Sequence, residues 1–176
     1  TGGTNVALGK DAMRSNTTAS NNTAVGHEAG YTNTTGAQNT FLGRKAGRGV
    51  TTGSENTFVG NSAGRDGTVT GSYNIGLGSV TLNALTSGSY NIAIGRDALG
   101  ANTTANYNTA VGYQSLLANT TGTENTALGS FSLAANTTGN YNVALGKGTL
   151  ESDTLGSRNI AIGANALQTQ NFTSAT

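Results

Sequence analysis

The sequence predicts an all-β fold: a parallel β-solenoid, or β-roll, of ten 17-residue coils. Three observations carry that expectation. First, the pentapeptide N-[TVI]-[AFG]-[VLI]-G begins at Asn5, Asn22, Asn39, Asn56, Asn74, Asn91, Asn108, Asn125, Asn142 and Asn159, every 17 residues with one interval of 18. A fixed short period marks a solenoid, whose units bury their apolar faces only against their neighbours. Second, the unit is shorter than helical repeats of about 33 to 47 residues, and its Gly, Asn and β-branched content disfavours helix. Third, Leu, Ile, Val and Phe supply only 31 of the 176 residues, below the roughly one-fifth usual for globular chains. The net charge is only +1, so charge repulsion does not explain that poverty. Such a chain folds by repetition, not around one wide core.

Seventeen residues suit one coil of short strands joined by tight corners. Coils stacked at ~4.8 Å make a rod of roughly 48 Å from ten of them. The 18-residue interval holds the turn-type sequence Arg65-Asp66-Gly67, read as an insertion that loops out without shifting the frame. The whole chain, 1–176, reads as a single repeat domain. It opens on Thr1 and shows no polar capping repeat at either end, so it is expected to be a piece of something longer.

Numbering columns 1 to 17 from each Asn gives the cross-section. Column 1 is always Asn (Asn22, Asn39, Asn108 and Asn125 among them), and stacked identical amides can hydrogen-bond along the rod. Column 4 is always aliphatic, as in Leu8, Val25, Leu42, Val111 and Leu128, and is read as the inward ladder. Column 5 is always Gly (Gly26, Gly43, Gly112 and Gly129 among them), which indicates positive φ or close backbone approach. Column 3, mostly Ala, reads as a flat face suited to packing against a copy of the chain. Column 9 is Leu or Met except for Gly30, Gly47 and Gly64, near which Phe41 and Phe58 enter column 3. Phe would there fill the volume that Leu fills elsewhere. Columns 12 to 15 give a recurrent N-T-T-G corner. All seventeen charged residues fall in columns 6, 7, 10, 11, 12 and 17, the positions read as outward corners.

The composition excludes several function classes. There is no Cys, hence no disulfide or thiolate site. No run of 18 apolar residues spans a membrane, and near-neutral charge gives no basic face for nucleic acid. The single histidine, His27, sits at a corner, no Ser-His-acid order or recurring carboxylate pair is present, and Asp66-Gly67 alone cannot build a calcium site. The reading is no enzyme, no cofactor and no metal. Seven N-x-[ST] sequons (Asn16, Asn21, Asn33, Asn102, Asn119, Asn136, Asn171) follow from an Asn/Thr-rich composition and do not by themselves indicate glycosylation.

The repeat resembles known fibre families. N-[TVI]-A-[VLI]-G is similar to the N-S-V-A-I-G-type strand of trimeric autotransporter adhesin heads, which are trimers of parallel β-rolls. The full units NTAVGYQSLLANTTGTE and NTALGSFSLAANTTGNY, starting at Asn108 and Asn125, resemble the N-T-A-V-G-x-x-A-L-x-x-N-T-T-G arrays of phage tail-fibre-like and bacterial surface proteins. The likeness covers residues 5 to about 170. The period of 17 departs from the shorter adhesin-head period, and residues 1–176 themselves read as repeats without a chaperone domain or anchor among them. The resemblance implies a homotrimeric attachment fibre located extracellularly, on a cell surface or virion.

Two surface ladders are candidate sites. Column 10 carries Arg14, Tyr31, Arg48 and Arg65, a stripe able to meet an acidic glycan or host receptor, or simply solvated charge that blocks lateral aggregation. Column 17 carries Tyr73, Tyr90 and Tyr107, then Tyr141, an aromatic ladder that either stabilises the stack or lies under a sugar. The expected function is a structural fibre segment of a tail fibre or adhesin, with its own copies as partners and neither nucleic-acid binding nor membrane insertion. One alternative is a purely structural extracellular filament. A second is an ice-binding solenoid, prompted by the Thr17, Thr34, Thr51 rank of column 13, although its neighbour rank in column 14 points to a turn.

Overall fold

The computed structural model describes residues 2–171. Ten three-residue strands follow one another: β1 Val6–Leu8, β2 Thr23–Val25, β3 Thr40–Leu42, β4 Thr57–Val59, β5 Ile75–Leu77, β6 Ile92–Ile94, β7 Thr109–Val111, β8 Thr126–Leu128, β9 Val143–Leu145 and β10 Ile160–Ile162. All ten belong to one parallel sheet in sequence order. Like pairs with like along the axis: Leu8 opposes Val25, Val25 opposes Leu42, and the row continues to Leu145 opposite Ile162. The frame survives the longer interval, with Val59 opposite Leu77 and a bridge from Val50 to Val69 beyond the insertion. This is a parallel β-solenoid with a single sheet; turns make the other sides of each coil.

Tight corners explain the narrow coil. Column 5 glycines take φ of 118–137° throughout. A Cβ on Gly112 would lie 2.6 Å from the carbonyl of Gly129 in the next coil, so these backbones stack too closely for any side chain. Columns 7, 9 and 17 turn through the left-handed region with ordinary residues, including Glu28 (φ 57°), Leu116 (φ 50°) and Tyr90 (φ 60°). One such residue costs of order 1 kcal/mol or more, so neighbouring coils must over-determine the conformation.

The rows are as the period requires, but their direction corrects the sequence reading. Column 4 faces outward: Leu42, Ile94 and Leu128 are 46%, 37% and 40% exposed, whereas Phe41, Ala93 and Ala127 beside them in column 3 are fully buried. Val25 and Val111 are likewise only half-buried. Thus on the strand the large aliphatics of column 4 lie outside, and column 3, mostly alanine, faces the core. The physical reason is room. The strand confronts inward Leu82, Leu99, Leu116, Leu133 and Leu150 of column 9, and a coil of 17 residues cannot hold bulk from both sides. Column 3 is therefore no docking face. Where column 9 is Gly, Phe41 and Phe58 fill the space: a Cβ on Gly47 would sit 2.0 Å from Cδ1 of Phe41, and one on Gly64 2.8 Å from Cε2 of Phe58.

Polar ladders run through the same interior. From Asn5 to Asn142, each Asn of column 1 accepts from the next coil's backbone, as when the Asn125 N–H donates to Oδ1 of Asn108 at 2.9 Å. Its own amide donates to the column 15 carbonyl, Asn108 Nδ2 to Gly122 O at 2.8 Å. Asn22, Asn39, Asn108 and Asn125 are all buried, so the predicted amide ladder is present and internal. Column 12 is also internal. Asn119 Nδ2 donates to Gly122 O, and Asp153, placed by sequence among outward charged columns, is fully buried and accepts from the Gly156 N–H at 3.0 Å. A side chain that satisfies the backbone of its own turn can occupy the core.

Candidate interaction surfaces

The outer face of the sheet exposes apolar side chains along its whole length. Columns 2 and 4 alternate along each strand, so both point away from the core. Column 4 is aliphatic in every coil, and column 2 carries Val6, Thr23, Thr40, Thr57, Ile75, Ile92, Thr109, Thr126, Val143 and Ile160. Val6, Leu8, Ile75, Ile92, Ile160 and Ile162 join Leu42, Ile94 and Leu128 among the exposed large hydrophobics. Columns 2 and 4 stand ~7 Å apart, and ten strands make a strip roughly 43 Å long. No charged residue occupies it.

The column 10 stripe is assembled in part and largely neutralised. Arg14 donates from Nη1 to the Tyr31 hydroxyl at 3.0 Å, and the guanidinium groups of Arg14 and Arg48 lie 5.7 and 5.4 Å from the Tyr31 ring centre. Arg48 donates to Glu28 at 2.8 Å, and Lys45 and His27 approach the same carboxylate at 3.8 Å each. Partial desolvation pushes the Glu28 carboxyl up. The Arg48 hydrogen bond and the charges of Lys45, Arg48 and His27 outweigh it and hold the group below its ordinary value. Arg65 pairs with its neighbour Asp66 at 2.5 Å. The Arg65 hydrogen bond leads in holding Asp66 below the usual carboxylate range, against desolvation and with help from Asn83. Cations already bound to carboxylates offer a polyanion less than their number suggests.

Column 17 is a true aromatic stack. Tyr73 and Tyr90 have ring centres 4.8 Å apart, Tyr90 and Tyr107 5.0 Å, each pair within 6° of parallel. Both faces of Tyr90 are covered by its neighbours, so the stack offers ring edges along its length. A sugar platform needs an open face, which favours the ladder-stabilising role.

The Thr rank of column 13 is spent on the axis. Thr34, Thr86, Thr103, Thr120 and Thr137 donate their hydroxyls to the column 13 carbonyl of the next coil, at 2.9–3.2 Å. Column 16 was not legible as a site, yet it works likewise: the Ser54 N–H donates to Ser72 Oγ and the Thr123 N–H to Asn140 Oδ1. Its signal was a recurrence of Ser and Asn, indistinguishable in sequence from a polar surface column. Among the described residues no group of three or more His, Cys, Asp or Glu could hold a metal ion. No family model, curated protein or solved structure matches the chain.

Proposed function

We propose that the chain is a rigid fibre segment of a tail fibre or cell-surface adhesin, working outside the cell or on a virion, and that it assembles as a homotrimer through the outer face of its sheet. The observation that carries this reading is the continuous, uncharged strip of columns 2 and 4. A strip of that size is far more than scattered exposure of apolar side chains and marks an interaction surface. Three parallel rods around one axis turn identical strips inward and close the assembly, leaving no free strip. The resemblance to trimeric β-roll fibres supports the same arrangement. Axial ladders of backbone, Asn and Thr give stiffness, and the variable corners of columns 6, 7, 10 and 11 present side chains to a receptor or surface glycan.

Light scattering during size-exclusion chromatography tests the assembly. The expected result is a trimer for the unaltered chain and a monomer with unchanged β-sheet circular dichroism for Leu42→Asp combined with Ile94→Asp. A monomer that persists in the unaltered chain sinks the trimer. Binding of the trimer to cells or glycan surfaces separates an attachment fibre from a purely structural filament, which instead lengthens end to end. Ice binding would rest on columns 2 and 4, since column 13 donates its hydroxyls to backbone. Thermal hysteresis of the isolated rod decides it.

A further inference from the structure

Tyr73, Tyr90 and Tyr107 lie on three successive coils with parallel rings 4.8 and 5.0 Å apart. They are 45%, 47% and 59% exposed, so small oxidants reach all three. Little else in the chain competes for a one-electron oxidant. There is no Cys and no Trp, and the single methionine, Met13, is buried. The other tyrosines have different neighbours: Tyr31 lies between Arg14 and Arg48, Tyr113 is edge-on to Phe131, and Tyr141 lies beneath Arg158.

We propose that the Tyr73–Tyr90–Tyr107 stack is a site of oxidative cross-linking, where a carbon–carbon bond between neighbouring tyrosines staples one coil to the next. Each of two adjacent phenols gives one electron and its hydroxyl proton to a peroxidase-type oxidant. The two phenoxyl radicals join at ring carbons ortho to oxygen. The hydrogen on each joined carbon then moves to its oxygen and restores two phenols. Two electrons and two protons leave in all, and one hydrogen peroxide becomes two waters. Free phenoxyl radicals must meet by diffusion, whereas these rings are already in contact, so coupling within the chain has the advantage of proximity. Glu55, one coil before Tyr73, accepts its phenol hydrogen bond; that bond, then the Glu55 charge, holds the phenol above its ordinary pKa and places an acceptor for the departing proton beside the first ring. The inference stands on the geometry of one chain and does not depend on the trimer.

The test treats the full chain with peroxidase and hydrogen peroxide, then reads bityrosine fluorescence, intact mass and mobility on a denaturing gel. The unaltered chain should fluoresce at single-chain mobility with the mass of two hydrogens lost. Tyr90→Phe leaves Tyr73 and Tyr107 two coils apart, ~9.6 Å, and should lower the single-chain signal at least about tenfold. Tyr73→Phe and Tyr107→Phe each leave one stacked pair and should keep a substantial signal, and Tyr141→Phe should match the unaltered chain. Equal yields from Tyr90→Phe and the unaltered chain, or fluorescence confined to bands of two or more chains, would overturn the proposal. Circular dichroism of each variant shows that the coil is intact.

Discussion

In coils 3 and 4 the strand supplies the bulk of the core. Phe41 and Phe58 are fully buried, their rings nearly parallel at 6.3 Å, and column 9 there is Gly47 and Gly64. In coils 6 to 9 the strand supplies only Ala93, Ala110, Ala127 and Ala144, and column 9 answers with Leu99, Leu116, Leu133 and Leu150. Compensation also crosses coil boundaries. Phe41 sits against Gly30 of the coil before, and Phe58 against Gly76 of the coil after. Two phenylalanines thus fill space in four coils. What a solenoid holds constant is the volume of its cross-section, shared along the axis, and not the identity of any one column.

The largest expected effect probes that exchange directly. Phe41→Ala should cost about 3–5 kcal/mol, the range for deleting a buried Phe. Gly47→Leu alone should also destabilise, because Cβ meets the Phe41 ring. Together they should recover most of the loss, since leucines of column 9 already sit at φ near 50° in other coils. A urea-denaturation double-mutant cycle measures the coupling; additive losses would break the compensation argument.

Column 1 is common to both regions, so its disruption should not distinguish them. Asn39→Ala leaves the buried Asn56 N–H without its 2.8 Å acceptor, and Asn108→Ala does the same to Asn125. Each should cost about 1–3 kcal/mol, the cost of an orphaned buried donor. Native-state hydrogen exchange should show equal losses at the two sites.

Column 12 should respond with opposite signs. Asn119 accepts from Asn136 Nδ2 at 3.1 Å, and losing that contact in Asn119→Val should cost about 1 kcal/mol. Asn33 borders the apolar run Val50, Val69 and Leu85, and its Oδ1 is buried without a hydrogen-bond partner. Gly36 O, to which Asn33 donates, keeps a second donor in Asn22 at 3.0 Å. Asn33→Val should therefore be neutral or stabilising by up to about 1 kcal/mol. Thermal melts of the two variants check the sign.

Register was fully legible in the sequence, because a 17-residue period admits one stacking of like on like. Direction was not. Ten aliphatics in column 4 looked like a core, and the alanines of column 3 looked like a surface, since hydropathy is silent about how narrow the coil is. Two signals pointed the right way. Phe enters column 3 where column 9 becomes Gly, so those columns share one volume. Asn of column 1 has the parity of column 3, and both are inward. The column 10 stripe was legible as a row, but its neutralisation by Glu28 and Asp66 depends on rotamers that no spacing reveals. The tyrosine ladder was legible because identical side chains in one column can only stack.

The smallest effect separates the two regions by charge. Glu28 gathers Lys45, Arg48 and the His27 ring from two adjacent coils, whereas in coils 6 to 9 Arg96 pairs with Asp97 alone at 3.3 Å. The Glu28 carboxyl is held below its ordinary value. Its ionised form therefore favours the folded state, fully so above the ordinary carboxylate pKa, and the contribution disappears as pH falls through the lowered folded value. Asp66 acts in the same sense two coils away. Acid should loosen coils 2 to 4 before coils 6 to 9, read as earlier loss of amide protection. In Glu28→Gln the acid-dependent part of that difference should shrink, because the carboxylate that pairs with Lys45 and Arg48 is gone. Loss of protection at the same pH in both regions, unchanged by Glu28→Gln, would break the charge argument and place acid sensitivity in interactions common to all coils.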